Sequence, residues 1–326
     1  MKRFLAIPIL AGVLAALMLT ACAPTPYPGP TAQTALSTPT PSAPTPVAFP
    51  FTIVDDLGRP VIIAKLPQRI VSLSPSNTEI LFAIGAGDQV VGVTQFCNYP
   101  AEAKTKPQIG GFSAATISVE KIVELKPDLV LSAGVIQEPV IGALERAQIP
   151  VFAVDPATIE GVCGRIESLG RLTGHIAEAN RVTAQMSERV AAVKARVKNV
   201  PQAERPKVFY EVWNEPLMTA GPGSLIGQMI DAAGGVNIFA EITQQYAQVS
   251  AEEVIKRNPD IIMGPDVRSS ELRLEKIQAR AGWGVVKAVQ QGRIALVVDD
   301  LVSRHTPRLV DGLEAVARGL YPNLFP

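Results

Sequence analysis

Ser118-Val119-Glu120-Lys121-Ile122-Val123, then Pro127-Asp128-Leu129-Val130-Leu131, returns in the same order further along the chain. The second copy is Ser250-Ala251-Glu252-Glu253-Val254-Ile255, then Pro259-Asp260-Ile261-Ile262-Met263, 132 residues on (118 to 250). Serine, glutamate, proline and aspartate recur at matching offsets, with apolar positions matching between them. A serine ahead of such a stretch predicts a helix start, and the apolar run after Pro-Asp predicts a strand. Each copy is therefore a helix leading into a strand, one step of a mostly parallel sheet. Gly85-Ala86-Gly87, expected to end a helix, is likewise echoed by Ala233-Gly234-Gly235. Two echoes in the same order predict two lobes of similar topology.

The rhythm extends outward from both copies. Arg69–Leu73 predicts a strand, and Ser76-Asn77-Thr78-Glu79 a capping box opening the helix that stops at Gly85. Val90–Val93, Asp128–Leu131 and Val151–Val154 are further expected strands, with a helix over Ser118–Leu125. A second series begins with a strand at Lys207–Val212 and has helices near Leu225–Ala233 and Ser250–Arg257. It continues through strands at Ile261–Met263 and Ile294–Val298 to a closing helix near Arg308–Leu320. Between the series, Leu169-Gly170-Arg171-Leu172-Thr173-Gly174 is expected to interrupt the chain. Ala177–Lys198 then runs without Gly or Pro, with a stripe of Val182, Met186, Val190 and Val193. Its length corresponds to a helix of about 33 Å, which would restrict hinge motion. The plainer alternative is that it belongs to one lobe and caps it. The fold class expected is α/β: two Rossmann-like lobes with mostly parallel sheets, joined by one long backbone helix. The lobes are expected over 50–174 and 205–326, with the helix region over 175–204.

The first fifty residues are a different material. After Lys2-Arg3 no charged residue occurs until Asp55, although the whole chain balances 30 basic against 30 acidic residues. Phe4–Leu19 is an apolar run, shorter than the roughly 20 residues of a membrane span and suited to a signal sequence. Leu19-Thr20-Ala21-Cys22 resembles a bacterial lipobox. That resemblance implies removal of residues 1–21 and lipidation of Cys22, and several acyl chains anchor stably where one does not. Residues 22–49 would then be a lipidated cysteine and tether, since Ala23–Phe49 holds eight prolines, six threonines and no charge. An uncleaved membrane anchor is the alternative; either way the folded part lies outside the cytoplasm.

Phe51–Leu320 resembles the helical-backbone class of periplasmic substrate-binding proteins, and within it the cobalamin-binding proteins. The carrying segments are Val71-Ser72-Leu73-Ser74-Pro75-Ser76-Asn77-Thr78-Glu79, Val91–Pro100, and Leu125-Lys126-Pro127-Asp128-Leu129-Val130. Thr219–Ser224 and Arg304-His305-Thr306-Pro307-Arg308 continue the resemblance. It implies a monomeric carrier that delivers cobalamin, haem or a ferric siderophore to an ABC importer, a permease dimer with its ATPase subunits. It further implies that Glu120 and Glu252, one per lobe, dock onto that permease. The plainer reading is that both are ordinary first-turn carboxylates favoured by the helix dipole.

Enzyme chemistry finds little support. The two histidines, His175 and His305, lie far apart in sequence, and no metal site or resident cofactor is expected. Gly221–Gly227 misses the dinucleotide fingerprint by one position and is expected to be a strand-to-helix turn. The balanced charge gives no footprint for nucleic acid. Cys97 and Cys163 either pair or stay free thiols. A bulky ligand wants flat apolar walls with a few polar groups. Phe96 and Trp213, each just after an expected strand, suit that role, with Tyr99 and Phe112 on nearby loops; core packing is the alternative for each. Asp300-Leu301-Val302-Ser303-Arg304, with His305 next to it, follows the last strand and corresponds by resemblance to a family ligand loop. This set favours cobalamin or a related corrinoid. His305 and Tyr99 keep haem open, Arg304 with Arg308 keeps a siderophore open, and a non-transport surface lipoprotein is the alternative of another kind.

Overall fold

A computed structural model describes residues 47–266 and 273–326. The expected signal segment 1–21, Cys22 and most of the tether lie outside the described residues. An antiparallel hairpin comes first, β1 (Phe51–Val54) with β2 (Pro60–Ile63). A four-stranded sheet follows from β3 (Ile70–Ser72), β4 (Val90–Val93), β5 (Leu129–Ser132) and β6 (Val151–Ala153), in the order β4-β3-β5-β6 and parallel throughout. Its helices are α1 (Pro75–Ala83), α2 (Val119–Glu124) and α3 (Glu138–Arg146). Two helices come next, α4 (Ile159–Thr173) and α5 (Ile176–Val197).

The second sheet is mixed. It contains β7 (Lys207–Asn214), β8 (Leu217–Ala220), β9 (Val236–Asn237), β10 (Tyr246–Gln248), β11 (Ile261–Pro265) and β12 (Ile294–Val297). Its order is β10-β8-β7-β11-β12, with β9 pairing to β7 off that path. β7, β9, β11 and β12 pair in parallel, whereas β8 and β10 are antiparallel. The helices of this part are α6 (Leu225–Ala232), α7 (Ala251–Arg257), α8 (Leu274–Gln278), α9 (Lys287–Gln290), α10 (Asp299–Ser303) and α11 (Leu309–Leu320).

The internal repeat is visible as topology. The order β4-β3-β5-β6 in one sheet maps onto β9-β7-β11-β12 in the other, with β8 and β10 added to the second. The repeated Pro-Asp has a structural cause. The Asp128 carboxylate accepts from the Arg69 amide at 2.8 Å, and the Asp128 amide donates to the Arg69 carbonyl at 2.9 Å. Asp260 repeats both bonds with Lys207, each at 2.8 Å. Ser118 and Ser250 cap α2 and α7 by accepting the third amide on, each at 3.2 Å. Gly85 and Gly234, just beyond α1 and α6, take φ of +84° and +77°, a left-handed turn that costs glycine little.

One local expectation needs correction and another is placed more closely. The N-cap of α1 is Ser74, whose hydroxyl accepts from the Asn77 amide at 3.2 Å, with Pro75 in the first turn. Proline needs no donor there, so the helix starts two residues earlier than the Ser76–Glu79 box implied. Glu79 is left inside the helix. The interruption expected over Leu169–Gly174 falls at its last residue, because α4 runs on through Thr173 and ends at Gly174 in the left-handed conformation. Gly170 stays helical because α5 packs against it: a Cβ there would lie 2.4 Å from that of Ala179.

α5 packs against α1 and α4 on one side and α6 and α11 on the other. Its Arg189 pairs with Asp311 at 2.6 Å and Glu314 at 2.8 Å on α11. One apolar cluster runs from Leu81 and Phe152 through Val182, Met186 and Val190 to Val208, Tyr210 and Leu313. Each fully buried aliphatic side chain in it contributes about 1.5–3 kcal/mol. Of the expected wall aromatics, none lies in this core.

Candidate functional site

Ligands of open α/β sheets sit beyond the carboxyl ends of the strands. In the first sheet those ends lead into Thr94–Tyr99 after β4, Gly134–Gln137 after β5 and Asp155 after β6. In the second they lead to Trp213 near the end of β7, Asp266 after β11 and α10 after β12. Side chains from the two halves meet here. Asn98 donates to Asp300 Oδ2 at 3.4 Å and accepts from Arg304 Nη1 at 2.7 Å. Gln228 of α6 donates to the Ala157 carbonyl at 2.8 Å. Arg304 and Arg308 both converge on Glu79: Arg304 Nη1 on Oε1 at 2.7 Å, Arg308 Nε on Oε2 at 2.7 Å and Nη2 on Oε1 at 2.9 Å. The Arg308 guanidinium lies 3.9 Å from the centroid of the Tyr99 ring.

The expected ligand residues fall into distinct surroundings. Phe96, Tyr99 and Trp213 are 49%, 47% and 45% exposed, while Phe152, Phe209, Tyr210 and Trp283 are buried. Trp213 stands in the β7–β8 hairpin with its indole N–H donated to the Glu215 carbonyl at 2.8 Å. Phe112 is half-buried, and its carbonyl accepts from the buried Gln137 side chain at 2.8 Å. The Asp300–Arg304 segment is not a loop, because Asp299–Ser303 forms the short helix α10. That geometry turns Val302 wholly into the core, where its side chain packs with the main apolar cluster. Leu301 is half-buried, and the Ser303 hydroxyl is spent on the Asp299 carbonyl of its own helix at 2.8 Å. Asp300 pairs with Arg304 Nη2 at 2.7 Å.

Sequence reasoning missed Glu79, Asn98, Val135 and Ile136. Glu79 was absorbed by a capping motif, although Ser74-Pro75 offered the better helix start. Val135 and Ile136, 65% and 53% exposed, follow β5, and an apolar pair just past a strand end was the available signal. The thiols are settled as free: Cys97 is buried with its Sγ 3.2 Å from the hydroxyls of Thr78 and Thr94, and Cys163 is half-buried on α4.

The electrostatics at these strand ends lean acidic. Burial pushes the Asp155 carboxyl up, with His305 opposing and Asp56 adding to the rise. Burial lowers His305, against the pull of Asp155 and Asp56, which favours the neutral imidazole at neutral pH. Asp299 is raised by burial and then by Asp300. The Tyr210 hydroxyl, buried without a hydrogen-bond partner, is pushed far up by burial, with Asp299 adding.

Glu120 and Glu252 occupy matching places in the first turns of α2 and α7, and both are exposed. Each is held below the ordinary carboxylate value by its own amide first, and then by the capping serine. Glu253, next to Glu252, pairs with Arg257 at 3.3 Å.

Residues 70–301 match the periplasmic binding protein family. An uncharacterized ABC transporter substrate-binding lipoprotein of Bacillus subtilis is 35% identical over 282 residues, 85% of this chain and 87% of that one. A cobalamin-binding protein of Halobacterium salinarum is 33% identical over 280 residues, 84% of this chain and 75% of that one. Among solved structures, a possible iron-binding (periplasmic solute-binding) protein from Staphylococcus epidermidis superposes with a TM-score of 0.70 at 31% identity, over 79% of this chain and 100% of that one. The periplasmic vitamin B12 binding protein of Vibrio cholerae gives 0.68 at 26% identity, over 79% and 98%. A periplasmic heme-binding protein from Roseiflexus gives 0.69 at 27%, over 79% and 99%.

Proposed function

The chain belongs to the periplasmic binding protein family, as a substrate-binding protein of an ABC importer and not an enzyme, and on that premise we propose that its cargo is cobalamin or a related corrinoid. The observation that carries this reading is the pair of half-exposed aromatics, Phe96 and Trp213, at carboxyl ends of strands in the two sheets. A corrin ring is broad, rimmed with methyl groups and amides, and nearly neutral. It asks for flat apolar walls and scattered polar groups, not for clustered unpaired charge. The cobalamin-binding relative supports the same reading, whereas the iron-binding and heme-binding structures define its competitors. The test is purification of the full chain with cyanocobalamin added, in parallel with haemin. A pink species co-eluting with the protein is expected; a haem spectrum in its place would overturn the assignment.

The anchor is a second part of the proposal, and it rests on Leu19-Thr20-Ala21-Cys22 and on the lipoprotein relative. Cys22→Ala should move the protein from the membrane fraction to the soluble one. Persistent membrane association would point to an uncleaved anchor.

A further inference from the structure

We propose that Glu79 is a specificity-determining residue of the interlobe cleft: by holding both Arg304 and Arg308, it withdraws them from anionic ligands and leaves the cleft suited to a neutral, amide-bearing one. The inference rests on the reading that the ligand lies between the lobes.

Arginine is the residue best shaped for anions, because its planar fork presents paired donors to carboxylate or phosphate. Two arginines next to a ligand site would by themselves predict an anionic cargo. Here several of their donors are already committed. Glu79 takes Nη1 of Arg304 at 2.7 Å, and both Nε and Nη2 of Arg308 at 2.7 and 2.9 Å. Asp300 takes Nη2 of Arg304 at 2.7 Å, and the Asn98 carbonyl oxygen takes Nη1 at 2.7 Å. The Tyr99 ring covers the Arg308 guanidinium. Two cations thus face two carboxylates, and the cluster is formally neutral.

The placement of Glu79 makes this more than a surface pair. Its side chain is 2% exposed, against 13% and 22% for the two arginines, and it sits on α1 while they come from the segment before α11. A carboxylate that deep is costly unless paired, so the arginines are held as firmly as the glutamate needs them. Asp155, Asp266 and Asp299, which also stand at these strand ends, are acidic and add no anion-binding capacity. Rejection of a wrong ligand by charge is a recognised route to specificity.

A merely structural latch and a charge filter predict different things. Loss of a latch alters the affinity for every ligand together, whereas loss of the filter alters their ratio. The experiment is calorimetric titration of the full chain with cyanocobalamin and with a trianionic ferric tris-catecholate siderophore. Glu79→Gln keeps the size and an acceptor oxygen and removes the charge. Its ratio of siderophore affinity to cobalamin affinity should rise at least tenfold, while Glu79→Asp should keep the wild-type ratio. Should Glu79→Gln fail to fold, Asp300→Asn removes the other countercharge from a more exposed position and must raise the ratio in the same direction. A folded Glu79→Gln, or in its place a folded Asp300→Asn, with an unchanged ratio overturns the proposal. Failure of the wild type to bind cyanocobalamin would sink the cobalamin reading alone. The charge account would then be judged on siderophore affinity, which must still rise tenfold.

Discussion

Phe96 and Trp213 are the residues on which the ligand assignment turns, because a large apolar side chain held about half in water has surface to offer. Truncating a well-packed aromatic contact costs on the order of 1–3 kcal/mol, tenfold or more in affinity. Phe96→Ala and Trp213→Ala should each weaken cyanocobalamin binding by at least tenfold in calorimetry, with circular dichroism unchanged. Folded variants that both bind like the wild type would remove these two side chains from the site. Val302 marks the contrast, for it sits one residue from half-buried Leu301 yet packs wholly inside. A five-residue segment written as a ligand loop therefore contains a core residue, and only the helical turn of α10 shows which one.

At the scale of elements, legibility followed the range of the interactions. Ser118, Ser250, Gly85 and Gly234 act on their own helix ends, so their signals were present in the local sequence. The Pro-Asp repeat was equally visible, although the cause, a bond from each aspartate to the start of the neighbouring strand, was not. β8 and β10 went unread because antiparallel additions to a sheet are fixed by distant partners, and strands of four and three residues carry little alternation. Gly170 lies inside α4 for the opposite reason. A glycine normally weakens a helix, but here the close approach of Ala179 demands one. Glu79 was misread on the same ground: a local capping pattern competed with an ion pair to residues more than two hundred positions away. The two halves of the cleft were foreseeable as loops and strand ends; the contacts that join them were not.

For the molecule as a whole, the duplication has a functional corollary. Two lobes of matching topology carry Glu120 and Glu252 at equivalent helix starts, both exposed and similarly stabilised as carboxylates. We propose that they form a matched pair for a two-subunit permease, since charges across such a contact mainly set orientation and encounter rate. Glu120→Arg combined with Glu252→Arg should abolish transporter-dependent uptake while ligand affinity stays at the wild-type value. Normal uptake by the double variant would return both residues to the role of ordinary first-turn carboxylates. All of this presupposes the cargo. Calorimetric titration of the full chain with cyanocobalamin tests that most directly: the account predicts saturable binding of one cobalamin per chain, micromolar or tighter, and titration without saturable heat would contradict it.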